Sequence, residues 1–158
     1  MHFFIATGAY TGYLPKMPGT WGTILGVIIY LSINYYIKSN LLIHTLIFTV
    51  LFVVGVISGA HVIKKTKVLD PKEVVIDEIA GIYLVIMLSP FNGVISVLVS
   101  FLLFRVFDIF KPFPIKHIEK KFHSEESSYK SSLGVMFDDI AASLMALAVI
   151  YGFWYFYS

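Results

Sequence analysis

The chain has 158 residues, of which 58% are hydrophobic, 16% aromatic and only 14% charged. This is too apolar for an ordinary soluble domain and predicts an integral membrane protein folded as one all-α helical bundle. The net charge of +2 is too small to imply a nucleic-acid partner, and the absence of cysteine excludes disulfides, thiolate metal sites and cysteine-nucleophile catalysis.

Residues 1–13 have only a brief apolar run, with no preceding Lys or Arg and no small-residue cleavage site, so no signal peptide is expected. Residues 14–23, L-P-K-M-P-G-T-W-G-T, contain two prolines and Gly19 and predict an irregular ordered turn. Thr20 is a candidate helix N-cap there. A helix starting at Thr20 would present free amides to an anion, with Lys16 and the hydroxyls of Thr20 and Thr23 beside them; a simple capped helix with an interfacial Trp21 fits the same residues. The apolar segment 23–37 is short for a membrane span, which needs about 20 residues. After a turn at Ser39 and Asn40, residues 41–63 make the clearest span. The charged stretch from Lys64 to Glu78 follows, and Pro71 marks it as an interfacial loop.

Residues 79–104 are apolar again but are broken by S-P-F-N-G at 89–93, a dense turn signal that predicts a helical hairpin, either re-entrant or tilted. Its second arm runs into R-V-F-D-I-F-K-P-F-P, residues 105–114. At helical spacing Arg105, Asp108 and Lys111 share a face, and Pro112 ends the helix at Lys111. Residues 115–133 are polar and serine-rich and read as a surface helix and loop. G-V-M-F-D-D, residues 134–139, then introduces a final span over residues 140–157. The five histidines have no metal-site spacing and read as interfacial or packing residues.

Placing the turns at 38–40 and 89–93 on one side gathers residues 14–22, 64–78 and 105–139 on the other. All ten acidic residues fall there, with all of the twelve basic residues except Lys38. The positive-inside rule makes that face cytoplasmic. Three acidic clusters then meet at one interface: Asp77 with Glu78, Asp108, and Asp138 with Asp139. Any one pair alone also fits a helix N-cap. Together they repel unless a cation compensates, and an all-oxygen donor set suits Mg²⁺ or another hard ion. Arg105, Lys111 and Lys16 supply positive charge suited to a phosphate group.

On four blocks in order, residues 12–23, 70–81, 105–114 and 134–139, the chain resembles the bacterial phosphatidylglycerophosphatase A family through nearly its whole length. It departs at Ser131 and Ser132, where the family commonly has a glycine pair, and at Ser143, where a glycine is common. The resemblance implies an all-helical membrane fold, Mg²⁺ dependence, and hydrolysis of the terminal phosphomonoester of phosphatidylglycerophosphate to phosphatidylglycerol. In the expected mechanism some of Asp77, Glu78, Asp108, Asp138 and Asp139 hold the ion and water attacks phosphorus. An uncommitted carboxylate, with Asp108 and Asp139 as candidates, acts as base, while Arg105, Lys111 and Lys16 stabilise the phosphoryl oxygens. No D-x-D-x-T signature supports an aspartyl-phosphate. Alternatives are another lipid-phosphate phosphatase or a small Mg²⁺-binding transporter component. The latter is disfavoured because the acidic residues are expected outside the apolar spans.

Overall fold

The computed structural model describes residues 1–37, 40–113, 115 and 127–157. Among these residues the fold is all-helical, as the family resemblance implies. A short α1 (His2–Ala6) and a 3-10 turn (Thr11–Tyr13) precede α2 (Pro18–Ile37), α3 (Leu41–Thr66), α4 (Ile76–Leu88), α5 (Val94–Phe110) and α6 (Ser128–Tyr157). Three of these, α2, α3 and α6, are long and apolar enough to cross a membrane.

The start of α2 differs from expectation. The helix begins at Pro18, and the Met17 carbonyl accepts from the amides of Thr20 at 3.0 Å and Trp21 at 3.3 Å. Proline is favoured in a first turn because it has no amide to satisfy. Thr20 is therefore inside the helix and is not its cap. The helix gains five residues over the predicted segment, and its 20 residues rise about 30 Å, enough to span. Asn40 caps α3 as its side chain accepts from the Ile43 amide at 3.2 Å, and Lys67 closes that helix in a left-handed conformation. Lys38 and Ser39 lie outside the described residues.

Helix α4 is the centre of the bundle. Its residues Ile79 to Ile86 are buried on all sides, the mark of a helix surrounded by others. It packs on α2, α3, α5 and α6. Against α2, Gly22 lies so close that a Cβ would stand 2.6 Å from Val75 Cβ. Against α5 and α6, a Cβ on Gly81 would meet Phe104 at 2.6 Å. Ser143 Oγ donates across the gap to the Gly81 carbonyl at 2.9 Å and to its own turn at Asp139 O, 2.6 Å away. Small residues that let backbones approach are how helices associate where solvent-driven burial is weak. His44 is buried at the far end of the bundle, its Nδ1 2.7 Å from the Tyr83 hydroxyl and its ring stacked on Tyr30. It is a packing histidine, as expected.

The predicted hairpin is α4 and α5. Its arms are antiparallel, since Arg105 near the end of α5 lies 3.9 Å from Glu78 in the first turn of α4. At 13 and 17 residues they rise about 20 and 26 Å, short of a typical hydrocarbon core.

The last helix corrects two expectations. It starts at Ser128, so Ser131 and Ser132 belong to a buried helical face, and Ser132 Oγ donates to the Val56 carbonyl of α3 at 2.9 Å. Ile115 is a buried core residue and not part of a polar surface. Asp138 and Asp139 consequently lie well inside α6, where they cannot cap it. Asp138 and Asp139 thus belong to a helix of span length, ahead of its continuous apolar stretch. From Asp139 to Tyr157 the helix still rises about 27 Å, so the pair sits near one boundary of a bilayer-thick stretch. Residues 116–126, with most of the predicted charged surface helix, lie outside the described residues.

Candidate active site

Two acidic clusters reach one cleft because of where α4 begins and α5 ends, and the third reaches it from inside α6. Asp77 and Glu78 occupy the first turn of α4, where carboxylates complement the helix dipole. The preceding loop is held by the Val74 amide on the Pro71 carbonyl and by the Val75 amide on the Ala6 carbonyl of α1, both at 2.9 Å. Helix α5 ends at Phe110, where the sequence placed its end, and Lys111 follows with φ of 40° as a left-handed cap. This swings Lys111 off the face of Arg105 and Asp108 and across to α6, where Nζ lies 3.3 Å from Asp138 Oδ2. Arg105 donates to Asp108 one turn on, and stands 3.9 Å from Glu78 Oε1. Asp138 and Asp139 are consecutive on α6 and so point about 100° apart. The first faces Lys111; the second faces Asp77 and Glu78.

Asp77, Glu78 and Asp139 each bring a carboxylate oxygen within 4.8 Å of the others. Asp77 Oδ1, Glu78 Oε2 and Asp139 Oδ2 are buried without a hydrogen-bond partner among the described residues. Unpaired buried carboxylate oxygens are costly, and three carboxylates within reach of one point fit a hard cation. Burial pushes the Asp77 carboxyl up to about 7, reinforced by the charges of Asp70 and Asp108. Glu78 is held well above the usual carboxylate range, by burial first and then by Asp77 and Asp139. Asp108 is also raised by burial, with Arg105 and Lys111 opposing that shift.

The cleft has a volume of about 390 Å³, and six carboxylates against three cationic side chains line it. Of the residues singled out in the sequence, Asp77, Glu78, Arg105, Asp108, Lys111, Asp138 and Asp139 are all in its wall. Lys16, Thr20 and Thr23 are not. Thr23 is fully buried and its hydroxyl donates back to the Gly19 carbonyl at 2.8 Å, while Lys16 is exposed at φ of 78°. Met17, Pro18 and Gly19, at the start of α2, line the cleft, while the two threonines and Lys16 do not.

Among the wall residues that the sequence left unassigned are two charged ones, Asp70 and Lys72, and one glycine, Gly19. All lie inside the sequence blocks noted above, but exposed loop charges and a turn glycine carry no local sign of a site. Gly19 is there because a Cβ would overlap Glu78 Oε1 and stand 3.1 Å from the Arg105 guanidinium.

A family model described as phosphatidylglycerophosphatase A matches residues 4–154. A Haemophilus influenzae phosphatidylglycerophosphatase A is 31% identical over 155 residues, covering 96% of this chain and 87% of the relative. The Escherichia coli protein of that name is 24% identical over 93% of this chain and 80% of its own. A Bacteroides thetaiotaomicron protein provisionally named phosphatidylinositol-3-phosphatase is 32% identical over 92% of this chain and 89% of its own length. No solved structure matches.

Proposed function

Since the chain belongs to the phosphatidylglycerophosphatase A family of membrane phosphatases, we propose that it hydrolyses the terminal phosphate of phosphatidylglycerophosphate, in phospholipid synthesis at the cytoplasmic face of the bacterial membrane. The observation that carries the reading is the acidic cleft: three carboxylates, each with an unpaired buried oxygen, come together beside Arg105 and Lys111 at one end of a membrane bundle. A lipid substrate keeps its chains in the bilayer and brings only its headgroup to such a cleft.

Asp77, Glu78 and Asp139 would hold Mg²⁺. The chemistry supplied by such an ion is Lewis acidity toward a phosphoryl oxygen and a lowered pKa of water at the site. Arg105 and Lys111 bind and orient the phosphate, the guanidinium offering a forked pair of donors. Neither needs to leave its carboxylate, because each lies where it can serve both. Asp108, through the oxygen not engaged by Arg105, takes the proton of the water as its oxygen bonds to phosphorus and returns it to the glycerol oxygen as that P–O bond breaks, leaving phosphatidylglycerol and inorganic phosphate. Asp138 positions Lys111. Lys72, on the open side of the cleft, adds charge for a doubly anionic headgroup.

The test is phosphate release from phosphatidylglycerophosphate by purified protein, with Mg²⁺ or EDTA, against Asp108→Asn. Activity that requires the cation and falls at least about a hundredfold in Asp108→Asn is expected. Full activity in that variant would sink the site assignment.

The similarity to the provisionally named phosphatidylinositol-3-phosphatase favours a second reading, a related lipid phosphate as substrate with the same chemistry. The same assay over phosphatidylinositol 3-phosphate and phosphatidic acid separates the two by relative kcat/KM.

A further inference from the structure

A second recess lies against the hairpin, about 540 Å³ in volume, between α5 and the end of α6. Ile95, Val99, Leu102 and Leu103 form one wall, Val149, Ile150 and Phe153 the other, and Phe91 in the hairpin turn lies at its far end. Among the exposed apolar residues of α5, Ile95, Val99, Leu102, Val106 and Ile109 follow one another along the helix, flanked by Val94, Leu98 and Phe110. The steps of four and three keep them on a single stripe. That stripe ends in Ile109, which lines the acidic cleft. One helix therefore carries an apolar track on one side and, at its end, the Arg105 and Asp108 pair. From Ile95 to Ile109 the track runs about 21 Å, which exceeds the roughly 15 Å depth of one leaflet.

We infer that this groove holds an acyl chain of the lipid whose phosphorylated headgroup occupies the cleft. A molecule charged at one end and apolar along the remainder matches the continuity of cleft, Ile109 and groove. The outward face of α3 bears exposed apolar residues such as Leu42, Leu46, Val50 and Val53 but lines no part of the cleft, so bulk lipid covers it without selection. In the groove a chain packs between two helices, and because bulk lipid is equally apolar its gain comes from closer van der Waals contact and not from leaving water. The inference rests on the lipid-phosphatase reading and adds a chain-length preference to it.

The experiment measures kcat/KM for dioleoyl and dihexanoyl phosphatidylglycerophosphate in mixed micelles, for the unaltered protein, for Leu102→Trp, which fills the groove, and for Leu46→Trp on the outer face of α3. A fall of about tenfold in the long-to-short ratio for Leu102→Trp alone is expected from the lost packing contacts. A ratio within twofold of the unaltered protein overturns the groove. Absence of activity on both chain lengths in the unaltered protein, with Mg²⁺ present, counts against the phosphatase reading instead. Photolabelling with a lipid phosphate bearing a diazirine near the chain terminus decides the groove without turnover or a folded variant. Label concentrated on residues 95–109 and 149–153 supports it; even labelling of all outer helix faces overturns it.

Discussion

Gly19 is the residue whose role is least visible from its type. It has no side chain, and that absence makes room for Glu78 and Arg105 at the start of α2. Gly19→Ala should displace Glu78 and lower kcat/KM on the order of tenfold to a hundredfold, because small misplacements of a catalytic group are costly. Gly152, with open space around it, is the control, and Gly152→Ala should behave as the unaltered protein. Equal activity in the two variants would remove Gly19 from the site. Asp77 supports a second prediction. Burial carries its carboxyl from 3.8 to about 7, so between those values the folded chain holds more protons than the unfolded one. In EDTA, stability is therefore greatest below the lower value and is lost as pH rises through the upper one. The unfolding midpoint in detergent should be lower at pH 8 than at pH 5, and millimolar Mg²⁺ should raise it at pH 8 far more than at pH 5. A midpoint indifferent to both would argue against a buried carboxylate site.

Among the elements, α6 carries the most consequence for being longer than its apolar stretch. Because it starts at Ser128, its serines pack on α3 and its two aspartates project from the helix interior to different partners. Ser143 ties it to α4 through the Gly81 carbonyl. Ser143→Ala removes that donor and should cost about 1 kcal/mol, in line with hydrogen bonds between membrane helices, while leaving turnover within a few-fold. Denaturation in mixed micelles measures it; an unchanged stability would mean that packing alone joins α4 to α6. The end of α5 is the complementary case. Pro112 marks it in the sequence, yet the left-handed Lys111 that follows decides where the ammonium goes.

At the scale of the molecule, the bundle gathers charge at one end. The chain has no cysteine, so single substitutions can be labelled cleanly in intact and permeabilised cells. Lys72→Cys should react with an impermeant thiol reagent only after permeabilisation, and Asn92→Cys should never share its sidedness. Labelling of both from the cytoplasmic side would overturn the arrangement of the hairpin.

The membrane class, the all-helical fold, the hairpin break at residues 89–93 and the seven charged cleft residues from Asp77 to Asp139 were legible from the chain alone. Hydropathy and turn chemistry act locally, and like charges crowded at helix ends leave few arrangements. Helix starts were less legible: Thr20 and Ile140 looked like beginnings because polarity changes there, whereas the first turns form at Pro18 and Ser128. Only the tertiary structure sorted the carboxylates, setting Asp77, Glu78 and Asp139 around one point and giving Asp108 and Asp138 to Arg105 and Lys111. It also set Lys16, Thr20 and Thr23 apart from the cleft and brought Gly19, Asp70 and Lys72 into its wall. These outcomes depend on how helices rotate and approach across long sequence separations, and no local pattern encodes that geometry.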